Sequence, residues 1–164
     1  MAGTEHNGYD NSFKELFEEA TWVIAPTEKQ KTENAKEIEL LKDLIKITGA
    51  KPYETDAHTH DKSVAMISHM PMLLSQALIK TIMNNHEATK LASSGFRDMT
   101  RLAMSNTQMA NDMINLNNEN ISKSLELIIK EAQNLLKTNY SEEIETIKDF
   151  RKNMYNSEGK NISN

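Results

Sequence analysis

The sequence predicts a mainly α protein whose first third also carries one strand–helix–strand unit. Three observations predict it. Glycine and proline, the residues that punctuate a chain, number only five and three in 164 residues, so long uninterrupted elements are expected. Four of the five glycines and all three prolines lie at or before Gly95, leaving Phe96 to Glu158 with neither. As one straight helix that stretch would run about 90 Å. A globule of this size is only about 40 Å across, so the stretch must fold back on itself. The third observation is a β-prone run, Thr21-Trp22-Val23-Ile24-Ala25, followed by a helical pattern and a second short extended run.

The elements follow in order. Ser12 is placed to cap a short helix in which Phe13, Leu16, Phe17 and Ala20 recur at helical spacing. The β-prone run stops at Pro26. A helix is expected from about Thr27 to Thr48, with Ile38, Leu41, Leu44, Ile45 and Thr48 on one stripe and Gly49 as its stop. Lys51 to Thr55 is short and extended. Strand, helix and strand form the repeating piece of a parallel α/β sheet. One such unit cannot bury both faces of its strands, so it reads as the end of a larger sheet.

Val64 to Ile79 contains no Asp, Glu, Lys or Arg. A membrane span is not expected there, because Ser68, His69, Pro71, Ser75 and Gln76 interrupt it and it falls short of roughly 20 residues. The pattern predicts a central buried helix, kinked where Pro71 removes a backbone donor. Breaks are expected at Ser105-Asn106, Asn115 to Asn120 and Asn139-Tyr140, since Asn competes locally for backbone hydrogen bonds. Ile121, Leu125, Ile128, Ala132, Leu135 and Leu136 form an apolar stripe opposed by Lys123, Lys130, Glu131 and Lys137. Ser141, with Glu142 and Glu143, opens a last helix carrying Ile144, Ile147 and Phe150. Beyond Tyr155 the tail is rich in Asn and Ser and reads as disordered.

Composition excludes several classes of function. A net charge of −5 and a mean hydropathy of −0.63 describe a soluble protein and argue against nucleic-acid binding through a basic surface. With no cysteine, disulfides, thiolate-bound zinc and thiol catalysis are excluded. No secretory signal pattern precedes the first acidic residues, so a cytoplasmic protein is expected. Neither a dinucleotide fingerprint nor a phosphate loop can be built from the glycine spacing.

Three groups of residues could carry chemistry. His58-Thr59-His60-Asp61 reads either as a metal cluster or as a helix N-terminus capped by Thr59 or Asp61, its histidines in solvent. Ser68-His69 lies in an otherwise uncharged helix just before Pro71, either as satisfied core polar groups or beside a cavity opened by the kink. Arg97 and Arg101 stand four apart on one helix face, with Asp98 between them. An arginine entering the apolar Leu102-Ala103-Met104 run either binds a carboxylate in a buried setting or forms a surface pair with Asp98.

Met1-Ala2-Gly3-Thr4-Glu5 with Gly8 resembles part of the His-Pro-Met-Ala-Gly-Thr-Glu-x-x-Gly signature of prephenate and arogenate dehydrogenases. Further segments match that family in the same order: Ala20 to Pro26, Gly49-Ala50-Lys51-Pro52, His60-Asp61, Ser68-His69-Met70-Pro71, and Gly95 to Ala103 against Gly-Phe-x-Asp-x-Thr-Arg-Ile-Ala. The resemblance spans residues 1 to 103 and rests on the ordered set rather than on any one match.

The resemblance implies an oxidative decarboxylation of prephenate to 4-hydroxyphenylpyruvate in tyrosine biosynthesis. A hydride passes to NAD or NADP while the ring carboxylate leaves as carbon dioxide. It implies residues 1–56 as the end of a Rossmann-type nucleotide-binding domain. Residues 57–156 would be a helical dimerisation and substrate-pocket domain, and 157–164 a flexible tail. The family's catalytic histidine would stand just before Met1, so no catalytic residue is expected within the 164 residues. The chain alone is expected to be an inactive fragment that binds no cofactor by itself.

By the same resemblance Thr4, Ser68, His69 and Arg101 would contact substrate, the Arg101 guanidinium by binding the substrate's carboxylate. Glu5, His60, Asp61 and Asp98 would form a supporting ionic network. A homodimer through the helical region is implied, which would also occupy the ten methionines. One departure stands out: Met72 occupies the position where the family commonly has a second histidine, and a thioether neither donates a hydrogen bond nor carries charge. Two alternatives remain open at this point. One is a non-enzymatic helical dimerisation or partner-binding module; the other is a related dehydrogenase acting on a different carboxylic acid.

Overall fold

The structure, a computed structural model, describes residues 8–155. Thr4, Glu5 and the tail 157–164 lie outside the described residues. The chain divides into two compact units, one ending at Ser124 and the other beginning at Leu125.

The first unit opens on a parallel pair of strands, β1 (Thr21–Ile24) and β2 (Lys51–Glu54), with Thr21 opposite Lys51 and Ile24 opposite Glu54. Parallel strands need a crossover, and α1 (Glu28–Glu33) and α2 (Ala35–Ile47) supply it. The single helix expected over 27–48 is divided at Asn34, whose backbone leaves the helical region at φ −122°, ψ 30°. Thr27 starts α1 with a capping box: its Oγ1 accepts from the Gln30 amide at 3.2 Å, and Gln30 Oε1 accepts from the Thr27 amide at 2.9 Å. Gly49 stops α2 at φ +82°, a conformation that favours glycine. Ile45, from the inner face of α2, packs with Ile24, Ala50 and Phe17, and the Phe17 and Trp22 rings stand 5.2 Å apart.

Glu54, at the end of β2, ties strand to crossover. Its carboxylate accepts from Lys42 Nζ at 2.8 Å and stands 3.9 Å from Lys31. The Lys42 hydrogen bond and charge hold Glu54 below the usual carboxylate range, and Glu39 together with Glu54 raises Lys42.

The Ser12-capped helix does not form. Residues Tyr9–Asn11 and Lys14–Phe17 make two short 3-10 turns, and Ser12 between them is extended. Its hydroxyl donates backwards to the Tyr9 carbonyl at 2.6 Å, so it caps nothing ahead of it.

The helical part begins with α3 (Ala57–Val64). Its cap is Asp56, which accepts from the Thr59 amide at 2.9 Å; Thr59 and Asp61 lie inside the helix. That hydrogen bond holds the Asp56 carboxyl below its ordinary range. Pro71 acts differently from the expected simple kink. Having no N–H, it cannot continue the ladder to Ile67, and the five residues before α4 (Met70–Ile82) widen into a π-helical turn, Ala65–His69. The Met70 amide reaches back to Ala65.

Burial along 64–79 is one-sided rather than complete. Val64, Ala65, Met70, Met72 and Ser75 are buried, whereas Ile67 is 75% exposed on the single chain. Within the chain there is too little covering structure for every face. Then come α5 (His86–Leu91), α6 (Ser94–Met99), a 3-10 turn (Arg101–Met104) packed on α4, and α7 (Thr107–Leu116). Asn106 caps α7 by accepting from the Met109 amide at 3.0 Å. Arg97 and Arg101 do not share one helix face, because α6 ends at Thr100, whose hydroxyl donates to the Phe96 carbonyl at 2.7 Å.

Helix α8 (Asn118–Leu135) starts directly after Asn117, burying Ile121 and Ser124. The second unit holds the rest of α8 and α9 (Tyr140–Met154), with Asn139 as N-cap, so the helix opens one residue before Ser141. On α9 the Arg151 guanidinium lies 4.0 Å over the Tyr155 ring.

Two predictions test this architecture. Gly49→Ala forces a Cβ into a left-handed backbone and to 3.3 Å from the Glu18 Cα, and is expected to lower stability by about 1–3 kcal/mol in a denaturant titration. The Asp56 cap is strongest when ionised, because its native pKa is depressed. Asp56→Ala is therefore expected to lower the melting temperature at neutral pH, and the gap to wild type closes as pH falls below about 4.

Candidate functional site

Three segments of the first unit converge on one cavity of about 630 Å³. Helix α3 contributes His60, Asp61 and Val64; the π-helical turn contributes His69; and α7 with its flanks contributes Met109, Asp112, Met113 and Asn117. The widened turn matters locally. An extra residue in a helical turn rotates the side chains on either side of it relative to one another, and here His69 is the last residue of that turn.

Asn117 is the hub of the polar side. It is buried at the break between α7 and α8, and its Nδ2 donates to the Asp61 carbonyl at 2.8 Å. The same nitrogen stands 3.3 Å from His69 Nδ1, while Asn117 Oδ1 accepts from Asn120 Nδ2 at 2.8 Å. The Asp61 carboxylate is engaged elsewhere, 2.9 Å from His60 Nδ1. Burial pushes the His69 imidazole below its ordinary pKa; Asp61 opposes that shift and His60 adds to it. The neutral form of the ring is thereby favoured. The arrangement offers a neutral imidazole, a carboxylate–imidazole pair and apolar walls, which suits a ligand with an apolar body and a few oxygens.

The structure brings together some of the expected site residues. His60, Asp61 and His69 share the cavity. Ser68 is half-buried and not part of the described lining. Arg101 and Asp98 are exposed on the 3-10 turn and on α6, also outside it, and Asp98 stands 3.7 Å from Arg97 Nε. Met72 is buried in the core. Sequence reasoning misses Asn117 and the α7 wall. It reads the Asn115–Asn120 run as a helix break, and only tertiary contact turns one of those amides inward. The wall is detectable, since Met109, Met113 and Leu116 recur at helical spacing behind the Asn106 cap.

Among the described residues no three His, Asp or Glu side chains are grouped to hold a metal ion, and no helix is long and apolar enough to cross a membrane. The turn after β1, Ala25-Pro26-Thr27, contains no glycine.

Comparison with known proteins gives this geometry its context. Residues 56–155 match the dimerization domain of prephenate dehydrogenase, and residues 1–54 match its nucleotide-binding domain. The prephenate dehydrogenase of Bacillus subtilis (strain 168) is 30% identical over 162 residues, covering 92% of this chain and 43% of that protein. A cyclohexadienyl dehydrogenase of Zymomonas mobilis is 28% identical over 119 residues, covering 70% and 40%. Among solved structures, prephenate dehydrogenase from Aquifex aeolicus in complex with hydroxyphenyl propionate and NAD+ superposes with a TM-score of 0.76 at 28% identity, covering 93% of this chain and 54% of that one. Synechocystis arogenate dehydrogenase gives a TM-score of 0.68 at 29% identity, covering 91% and 55%. The chain thus spans about half the length of these relatives. With family matches running from residue 1 to 155 and the expected motifs in order, the chain belongs to the prephenate dehydrogenase family.

Proposed function

We propose that this chain supplies the substrate-pocket and dimerisation half of a cytoplasmic, NAD- or NADP-dependent prephenate dehydrogenase. The whole enzyme would convert prephenate, or the related arogenate, by oxidative decarboxylation in tyrosine biosynthesis. The observation that carries the reading is the cavity itself. It sets a neutral, half-buried His69 beside His60 and Asp61, within a chain whose matched relatives are prephenate and cyclohexadienyl dehydrogenases.

In this reading the chain's own side chains bind and orient. His69 hydrogen-bonds a substrate oxygen, and the His60–Asp61 pair stiffens the mouth of α3. Arg101 takes the substrate's carboxylate in a bidentate grip, with Asp98 nearby on α6. By the family resemblance Thr4 and Ser68 would also contact substrate, and Glu5 would belong to the supporting ionic network. The glycine-rich motif that would hold the cofactor does not occur in the 164 residues. For the same reason these residues alone would not oxidise prephenate. The homodimer draws support from apolar side chains left exposed on the single chain, including Ile67, Met104 and Leu116.

A second reading, a helical dimerisation or partner-binding module without catalysis, is favoured by one observation: Arg101 lies outside the described cavity lining. Joining the chain to the nucleotide-binding half of the Bacillus subtilis relative separates the two. The joined protein is expected to form NADH from NAD in the presence of prephenate, and the 164 residues alone are not. A folded, joined dimer with no turnover would favour the module. In the active form, Arg101→Ala is expected to lower kcat/KM about 10- to 100-fold, mainly through KM, as loss of a charge-assisted contact does. Arg101→Lys is expected to recover only part of it.

A further inference from the structure

We propose that Asn117 is a positioning residue that holds His69 in its Nε2–H tautomer, so that the imidazole meets a ligand as a hydrogen-bond donor. The proposal deepens the reading of His69 as a substrate contact and rests on it for the ligand; the tautomer itself stands on geometry alone.

The geometry leaves little choice. A backbone carbonyl only accepts, so the Asn117 atom 2.8 Å from the Asp61 carbonyl oxygen must be the amide nitrogen. Turning the amide over would set two acceptor oxygens against each other. The Asn117 oxygen is then directed to Asn120, which donates to it at 2.8 Å. The second hydrogen of Asn117 Nδ2 is left for His69 Nδ1, 3.3 Å away. Two N–H groups cannot share that gap, so Nδ1 carries the lone pair and Nε2 the proton.

The backbone keeps the hub in place. The Asn117 amide donates to Met113 in α7 at 3.1 Å, and its carbonyl accepts from Ile121 in α8 at 3.0 Å. With only 8% of the residue exposed, water competes weakly for the side chain. The charged groups around His69 do not overturn the assignment. Asp61 on α3 has its carboxylate on His60 Nδ1, and Asp112 on α7 lines the same cavity. Burial and His60 both disfavour a second proton on the ring.

A donor at Nε2 selects its partner. The group opposite must be an acceptor oxygen, of a carboxylate, a carbonyl or a hydroxyl, and a ligand offering only a donor at that point would be rejected. Asn117 is thus a specificity device acting through another residue.

The test needs no substrate. Ring-nitrogen NMR of the 15N-labelled 164-residue chain, with the His69 signals identified by their loss in His69→Gln, reads the tautomer directly. A protonated Nε2 and a bare Nδ1 at pH 7.5 are expected, titrating with a midpoint below that of an ordinary imidazole. A protonated Nδ1, or an even mixture, overturns the proposal. Asn117→Asp replaces the donor by an acceptor of the same size. It is expected to move the proton to Nδ1 and raise the His69 midpoint by about one pH unit or more; an unchanged tautomer and midpoint would overturn the role given to Asn117. If that variant does not fold, the wild-type spectrum still decides. Because the spectrum is recorded without prephenate or cofactor, its outcome is independent of the turnover assay.

Discussion

The helical part depends on a hydrogen bond that cannot be made. Pro71 has no N–H, so the ladder from α3 into α4 has to change step. It does so by widening to i→i+5 over Ala65–His69 rather than by bending sharply. Widening the turn changes which residues lie over one another. Met70 and Met72 go to the core with Ser75, and His69 closes the turn as part of the cavity wall. A regular helix of the same sequence would aim these side chains elsewhere. The adjustment is also a reason to expect the site here: backbone irregularity in helices collects where side chains have to be re-aimed.

A second constraint acts at the other end of the first unit. Two parallel strands and their crossover bury a core of only Ile24, Ile45 and Ala50 with Phe17 against it. Leu40, Leu44 and Ile47 remain exposed on α2. The unit is held by the devices of a larger sheet, namely a capping box, a left-handed glycine and the Glu54–Lys42 pair. They fix its geometry while most of its apolar surface stays open. Ion pairs at such exposure contribute little free energy. They serve register more than stability.

Much of this is legible in the sequence because it is periodic or local. The strands, the Gly49 stop and the Asn106 and Asn139 breaks all arise from residues acting on their nearest neighbours. Expectation and structure part where a local rule has competitors. Ser12 is expected to cap forward and instead bonds backward to Tyr9. Asn34 divides the expected helix ahead of its apolar stripe, which begins only at Ile38, so no packed face holds the two parts in one helix. Thr59 and Asp61 read as caps, but Asp56, one residue outside the helix, is better placed to accept. Arg97 and Arg101 fall on one face only if Thr100 is helical, and it is not. The site divides in the same way. His60, Asp61 and His69 are visible as a polar set, whereas nothing in the spacing of the Asn115–Asn120 run says which amide turns inward.

The bond from Asn117 to the Asp61 carbonyl joins residues 56 positions apart. Nearly every other side-chain bond described in the helical part spans one helical turn and can form as soon as its helix does. The pocket has no such local precursor. Closing a loop of that length has an entropic cost that is recovered only when both walls arrive together. Secondary structure therefore says little about whether the site exists: a chain could show its full helical content and still have no pocket. The cavity is a property of the completed fold, and an opening at the junction of α7 and α8 would dismantle it while leaving the helices intact.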